Sequence, residues 1–246
     1  MGVIYEPCGK AKEYCDLAVN LYVGCSHGCI YCYAPRYIRK TREQFLKPYP
    51  RRNILIQVEK ESPSYSGREI QLCFTCDPYQ HLEEDYQITR QVLNIFTKHD
   101  VKARILTKGG MKSIRDIDLM VKNKSVYGAT LTFVNESDSK HYEPYAALPN
   151  ERFEALKVAK KAGLETWVSL EPVISPEQTI EIVHLTYEYV DTYKVGKLNH
   201  DSEAEKINWQ KFLIDVTEVL KKYNKRYYIK KDLARFQIGN SKRDKK

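Results

Sequence analysis

No apolar run in this 246-residue chain approaches the length that crosses a bilayer. The first residues, Met1-Gly2-Val3-Ile4-Tyr5-Glu6, lack the basic and apolar regions of a secretion signal. A cytoplasmic location with no membrane partner is the default expectation. The chain also lacks internal repeats, low-complexity blocks and any linker long enough to divide it, so residues 1–240 are expected to form one domain. Residues 241–246, Ser-Lys-Arg-Asp-Lys-Lys, are expected to be a basic, disordered tail. Complete disulfide pairing is excluded as well, because the seven cysteines are odd in number. In a chain of intracellular character they point to metal or redox chemistry instead.

What is present reads as an ordinary globular protein, 42% hydrophobic and 29% charged. The net charge of +8 suits an anionic partner, nucleic acid or a phosphorylated substrate, although part of the excess sits in the tail. Nineteen tyrosines are unusual. They could stack bases, but most tyrosines are half-buried packing residues.

Along the chain, 17–23 reads as a first strand, 36–47 as basic and polar, and 53–60 as a helix. A regular alternation follows, with strands expected at 69–75, 102–107, 126–133, 164–170, 192–197 and 226–230. The intervening helices are expected at 83–98, 113–122, 150–162, 176–190 and 207–223. Strand and helix alternating at this spacing predict an α/β fold with a parallel sheet. Six or seven units are fewer than the eight of a closed barrel, so a partial (β/α)6-type TIM barrel is expected.

The densest chemistry lies in Gly24-Cys25-Ser26-His27-Gly28-Cys29-Ile30-Tyr31-Cys32-Tyr33, where three cysteines are spaced C-x3-C-x2-C. Three thiolates on so short a loop can converge on one metal centre. A structural zinc site wants a fourth ligand and usually paired C-x2-C units. A four-iron cluster normally takes four cysteines, so three imply one iron open to an external ligand. Three unrelated buried thiols are the plain alternative. The loop follows a strand, on the face where parallel α/β folds place their chemistry. Gly24 and Gly28 would let the backbone pass close to a cluster.

This spacing, with an aromatic residue before the third cysteine, resembles the radical S-adenosylmethionine (SAM) superfamily. The resemblance implies a [4Fe-4S] cluster on Cys25, Cys29 and Cys32, with SAM chelating the open iron. It further implies reductive cleavage of SAM to a 5′-deoxyadenosyl radical, fed by an electron donor such as flavodoxin or ferredoxin. Within the superfamily, the chain is similar to the spore photoproduct lyases and the small lyase-like proteins related to them. Thr75-Cys76-Asp77-Pro78, Ile105-Leu106-Thr107-Lys108, Gly128-Ala129-Thr130-Leu131-Thr132 and Ser169-Leu170-Glu171-Pro172 carry that similarity at successive strand ends.

By that resemblance, Lys108 would pair with the SAM carboxylate, Thr130 would lie near SAM, and Tyr31 and Tyr33 near the adenine. Asp77 would accept hydrogen bonds from the ribose or the SAM ammonium, and Glu171 would face the cavity, binding a ligand or pairing with a nearby lysine. His27 is either a proton donor near SAM or a loop histidine bonded to backbone. The hydrogen-donating cysteine of the lyases has Phe74 in its place here, flanked by Cys73 and Cys76, which are the candidate hydrogen-atom donors. Cys8, Cys15, Cys73 and Cys76 could alternatively hold a second metal. The segment 230–236 is only loosely similar to the lyases' C-terminal segment, rich in arginine and tyrosine. A nucleic acid or nucleotide substrate is the leading expectation. The alternatives are a radical SAM enzyme acting on a peptide or metabolite, and a non-catalytic iron–sulfur or zinc protein that binds nucleic acid.

Overall fold

Apolar strand runs separated by amphipathic helices can bury both faces only by stacking the strands in parallel and laying helices over them. The computed structural model, which describes residues 2–199 and 202–237, has this arrangement. The strands are β1 (Ile4–Tyr5), β2 (Ala18–Val19), β3 (Tyr22–Val23), β4 (Tyr49–Pro50), β5 (Glu69–Leu72), β6 (Lys102–Ile105), β7 (Val126–Thr130), β8 (Glu165–Val173), β9 (Thr192–Lys197) and β10 (Arg226–Ile229). The helices are α1 (Ala34–Tyr37), α2 (Arg42–Phe45), α3 (Ile54–Glu61), α4 (Leu82–Tyr86), α5 (Ile88–Lys98), α6 (Ile117–Lys122), α7 (Glu136–Tyr142), α8 (Pro149–Lys161), α9 (Pro176–Thr186), α10 (Trp209–Lys222) and α11 (Lys231–Ala234).

One sheet runs β1-β2-β5-β6-β7-β8-β9-β10, parallel from β2 onward, with β1 antiparallel at its edge. Strands β3 and β4 form a separate antiparallel ribbon. Among the described residues β1 and β10 remain edges, so the sheet is an open partial barrel, as expected. Helix α5 buries Ile88, Val92, Leu93 and Phe96 on one stripe. Burial of four such side chains contributes on the order of 6–10 kcal/mol, which exceeds any propensity term for the helix. Helix α9 starts at Ser175, whose hydroxyl accepts the Gln178 amide at 3.2 Å, with Pro176 at the first helical position. No helix of the described residues is long and apolar enough to cross a membrane.

Five expectations need correction. The strand expected over 17–23 divides into β2 and β3, because the Asn20 side chain is pinned between them. Its Oδ1 accepts the amides of Phe74 (2.8 Å) and Thr75 (2.9 Å), and its Nδ2 donates to the Tyr5 hydroxyl (2.8 Å). The cysteine loop therefore leaves from the ribbon rather than directly from a barrel strand. The strand expected over 69–75 stops at Leu72, since Cys73 takes a left-handed φ of 66°. The helix expected over 83–98 breaks into α4 and α5 at Gln87, with φ 49°. The first part of 113–122 is a 3-10 turn, Gly110–Asp116, and α7 occupies the segment read as loop. The expected tail at 241–246 lies outside the described residues.

Trp167 anchors the barrel interior. Its indole Nε1 donates to the Ile105 carbonyl at 3.0 Å, two strands away, and it lies against Gly128 on β7. A Cβ at Gly128 would collide with the indole ring. Gly128→Ala is expected to destabilise the protein by about 1–3 kcal/mol, the cost of overpacking a close-packed core. Chemical denaturation measures it, and an unchanged midpoint would show that Trp167 moves aside freely.

Candidate active site

The cysteine loop spans Gly24 to Tyr33, between β3 and α1, and is fastened from three sides. From α2, the Phe45 carbonyl accepts the Cys25 amide at 2.9 Å. From the segment after β5, Gln80 Oε1 accepts the Ser26 amide at 2.9 Å, while Ser26 Oγ accepts the His81 amide at 3.3 Å. From the end of α7, the Tyr142 carbonyl accepts the Ile30 amide at 2.9 Å, and the Tyr145 amide donates to the His27 carbonyl at 3.1 Å. Gly24 has φ 92°, and a Cβ there would lie 2.5 Å from the Phe45 carbonyl oxygen, so both its backbone angle and its space require glycine.

All three loop cysteines are half-buried. Burial raises the Cys25 thiol pKa well above its ordinary value, and raises that of Cys32 as well. Burial pushes Cys29 up to about 12, with the neighbouring Lys108 ammonium pulling the other way. Such thiols stay protonated at neutral pH until a metal ion replaces the proton. Among the described residues, no group of three or more His, Cys, Asp or Glu side chains closes on a single metal ion. Three cysteines on the loop would leave a mononuclear structural zinc site one ligand short. A polynuclear cluster spreads its cysteines over several irons, so the donor set fits a cluster with three protein ligands.

The remaining cysteines do not form a second site. Cys8 is exposed ahead of a short 3-10 turn, and Cys15 donates to the Leu17 carbonyl at 3.0 Å. Cys73 is buried, and burial, with the neighbouring Cys76 thiol adding to it, raises its pKa well above the ordinary value. The C-x2-C pair is thus two adjacent thiols at the end of β5. Phe74, between them, packs edge-on against Tyr14 with ring centroids 6.0 Å apart.

Next to the loop lies a buried ion cluster that the sequence did not announce. The Lys108 ammonium sits 5.6 Å from the Tyr31 ring centroid and 3.9 Å from Glu143 Oε1. Glu143 Oε2 lies 2.5 Å from Arg152 Nη2, and the Tyr31 hydroxyl donates to Glu143 Oε1. Arg152, 1% exposed, also donates from Nε to the Ala147 carbonyl (2.8 Å) and from Nη1 to the Thr130 carbonyl (3.1 Å). Burial pushes the Glu143 carboxyl up, but Arg152 and Lys108 outweigh it and hold the group below its ordinary range. Burial likewise opposes the charge on Lys108, and Cys29 and Glu143 overcome it, leaving the ammonium's pKa raised. Lys108 is therefore no solvated lysine at a strand end.

Asp77 braces this cluster from the other side. Its Oδ1 accepts the Thr107 hydroxyl (2.6 Å) and the Tyr79 amide (2.8 Å), and its Oδ2 accepts the Lys108 amide (2.7 Å). The carboxylate is thus committed to holding the chain on which Lys108 stands. His27 Nδ1 lies 3.5 Å from Asp77 Oδ2; burial lowers its pKa to about 4 despite that carboxylate, and the imidazole is neutral at physiological pH. Thr130 is buried at the end of β7, its amide donating to the Thr107 carbonyl at 3.1 Å.

Glu171 belongs to a different group, across the barrel. Its Oε2 accepts Lys230 Nζ at 2.7 Å and the Tyr14 hydroxyl, and Tyr14 also lies 3.0 Å from Ser169 Oγ. The carboxylate is paired with a lysine, one of the two options the sequence leaves open. Tyr33 stands between the two halves, its hydroxyl donating to the Phe74 carbonyl at 3.0 Å while the ring flank is exposed. Tyr14, Glu143, Arg152 and Lys230 are the functional neighbours that sequence reading missed. They meet the motif residues only through tertiary packing, and no spacing pattern marks them.

Comparison with known proteins matches residues 19–190 to the radical SAM superfamily. Sequence relatives include an uncharacterized protein of Methanocaldococcus jannaschii, 27% identical over 76% of this chain and 72% of its own length. Another, from Acidianus two-tailed virus, is 26% identical over 90% of this chain and 85% of its own. Among solved structures, spore photoproduct lyase complexed with dinucleoside spore photoproduct superposes with a TM-score of 0.68 and 12% identity, covering 92% of this chain and 79% of that one. Streptococcus suis SuiB bound to S-adenosylmethionine superposes with a TM-score of 0.60 and 14% identity, covering 86% of this chain and about half (49%) of that one. At these identities both structures establish a shared fold. The superfamily match spans well over half of the sequence and includes the cysteine loop; the chain belongs to the radical SAM superfamily.

Proposed function

We propose that this radical SAM enzyme acts on a nucleic acid or nucleotide, abstracting hydrogen from it in a repair or modification reaction. The observation that carries the reading is the fold likeness to spore photoproduct lyase with its bound dinucleoside, extending over 92% of this chain. The net charge of +8 supports it, since polyanions are drawn to a basic protein. The likeness to SuiB, a structure also solved bound to precursor peptide, keeps a peptide substrate as the second reading.

When bound, a [4Fe-4S] cluster with SAM would supply the 5′-deoxyadenosyl radical that abstracts the hydrogen. The chain's own residues would do the rest. Cys25, Cys29 and Cys32 would hold three irons. Lys108, fixed through its backbone by Asp77, would meet the SAM carboxylate with its ammonium. Tyr31, tied to Glu143, and Thr130, tied to Thr107, would wall the same side, and Tyr33 would cover the adenine. Cys76, beside Cys73, would return a hydrogen atom to a product radical. The resulting thiyl radical would then take one electron from the external donor and one proton.

The test is anaerobic reconstitution with iron, sulfide and dithionite, followed by SAM and candidate substrates. Deuterium should pass between 5′-deoxyadenosine and a nucleic acid or nucleotide; transfer to a peptide would favour the second reading. No 5′-deoxyadenosine from protein with a complete four-iron cluster would defeat both.

Three variants check the assigned roles. Cys29→Ala should lose the brown chromophore and all SAM cleavage, and absorbance retained near the wild-type level would contradict the ligand assignment. Lys108→Met should keep its iron but bind SAM about tenfold or more weakly, the scale of a charge-assisted contact, as read by equilibrium binding. Unchanged affinity would remove Lys108 from the site. Cys73→Ala and Cys76→Ala should retain iron and 5′-deoxyadenosine formation while product yield falls; loss of iron from either would make these thiols ligands instead.

A further inference from the structure

The segment that follows the cysteine loop, residues 33–52, carries seven basic side chains against the single carboxylate Glu43. It accounts for a net +6 of the chain's +8. Few of these charges are neutralised. Elsewhere among the described residues many lysines and arginines are in ion pairs, as in Lys10–Asp232, Arg90–Asp118, Lys160–Asp191 and Arg226–Glu165. Within 33–52, by contrast, only Lys47 is in an ion pair, with Glu43 at 2.9 Å, and Arg36, Arg39, Arg51 and Arg52 are in none among the described residues. Uncompensated cations this close in sequence create a local field that attracts a polyanion.

Aromatic rings are interleaved with these charges, and they face solvent. Tyr37 is 67% exposed, Tyr33 56% and Tyr49 49%. Tyr33 and Tyr37 are four residues apart on one face of α1, with Arg36 beside them. Lys40 lies over the Tyr49 ring, 5.0 Å from its centroid, which joins α1 to the β3–β4 ribbon. The patch is continuous with the active site. The Tyr33 hydroxyl reaches the Phe74 carbonyl at 3.0 Å, and Arg42 donates to the Cys29 carbonyl at 3.1 Å and to that of Ile30.

We infer that residues 33–52 form the docking surface for an unpaired nucleic-acid strand, with Arg36, Arg39, Arg51 and Arg52 on its phosphates and Tyr37 and Tyr49 stacking on its bases. This deepens the nucleic-acid reading and rests on it. Exposed rings beside cations favour a single strand, because a duplex keeps its base faces stacked inside. The Tyr33 contact with Phe74 would place a nucleotide leaving the patch at the barrel mouth.

Fluorescence anisotropy of the reconstituted enzyme with a labelled oligothymidylate or oligouridylate of about 15 nucleotides tests it, with a duplex of equal length and oligoglutamate as comparisons. Between about 50 and 200 mM salt, four phosphate contacts predict a log–log slope near −3. R36Q/R39Q should weaken binding about tenfold at the lower salt and make the slope shallower by about 1.4. Tyr37→Ala should weaken it about fivefold or more with the slope kept. K221Q/K222Q, on α10 in the outer helical layer, removes the same charge and should bind as wild type. Iron content and melting temperature check that each variant is folded. If the wild type binds no oligonucleotide, the nucleic-acid reading itself falls. If it binds with the expected slope but R36Q/R39Q matches it, or K221Q/K222Q loses as much, the patch is wrong and the reading stands. Equal affinity for the duplex or for oligoglutamate, with Tyr37→Ala silent, overturns the single-strand assignment.

Discussion

A buried carboxylate holds the active side of this barrel together. Glu143, at the end of α7, meets Arg152 from α8, Lys108 from beyond β6 and Tyr31 from the cysteine loop. Stripped of partners, a carboxylate at such depth would cost several kcal/mol and would protonate instead. With two cations facing it, the group stays ionised, and the cluster carries one net positive charge inside the protein. That charge lies beside three thiols whose deprotonated forms are anionic, so the buried cations and the cysteine loop need one another. The arrangement explains why an arginine can be nearly inaccessible here: Glu143 lies against Arg152 before any ligand arrives, and the excess positive charge is left with Lys108, the more accessible of the two cations.

The opposite half of the barrel solves a similar problem with different parts. Lys230, 2% exposed, is neutralised by Glu171, and the Tyr14 hydroxyl bonds to the same carboxylate oxygen. Tyr14 arrives from the N-terminal segment and fills the interior between Phe74 and Trp167. Phe74 and Tyr33 form the boundary between the two halves. A molecule entering the barrel would meet the Lys108 cluster on one side and the Glu171–Lys230 pair on the other, with the Cys73–Cys76 thiols at the join. Under the proposed function, one half would hold the cofactor and the other the substrate.

Legibility followed locality. The cysteine loop was readable because its ligands lie within eight residues and their spacing is itself the signal. The parallel sheet was readable because strand and helix periods repeat along the chain. Breaks were not: Gln87 and Cys73 take left-handed φ angles without being glycine, and nothing local marks them. Asn20 ends the first strand through bonds to Phe74 and Thr75, more than fifty residues away, which no window along the sequence can see. The same holds for Glu143 and Arg152, which in sequence are an unremarkable loop acid and a helix arginine. For Asp77, the motif indicated a site residue, and the structure adds that its acceptors face inward to Thr107, Tyr79 and Lys108.

The ribbon and the two short helices between β3 and β4 connect the cysteine loop to the basic surface. Placing the cysteine loop on a ribbon rather than on a barrel strand lifts it clear of the sheet, so its outer side needs independent support. That support comes from the Phe45 carbonyl of α2 and the Arg42 guanidinium, and so from the same segment that carries the exposed arginines and tyrosines. A strand docked on those arginines would press on the backbone that positions Cys25 and Cys29. If the strand docks as inferred, substrate capture and the geometry of the cysteine loop would be mechanically linked through residues 33–52, without any contact between substrate and thiols being required.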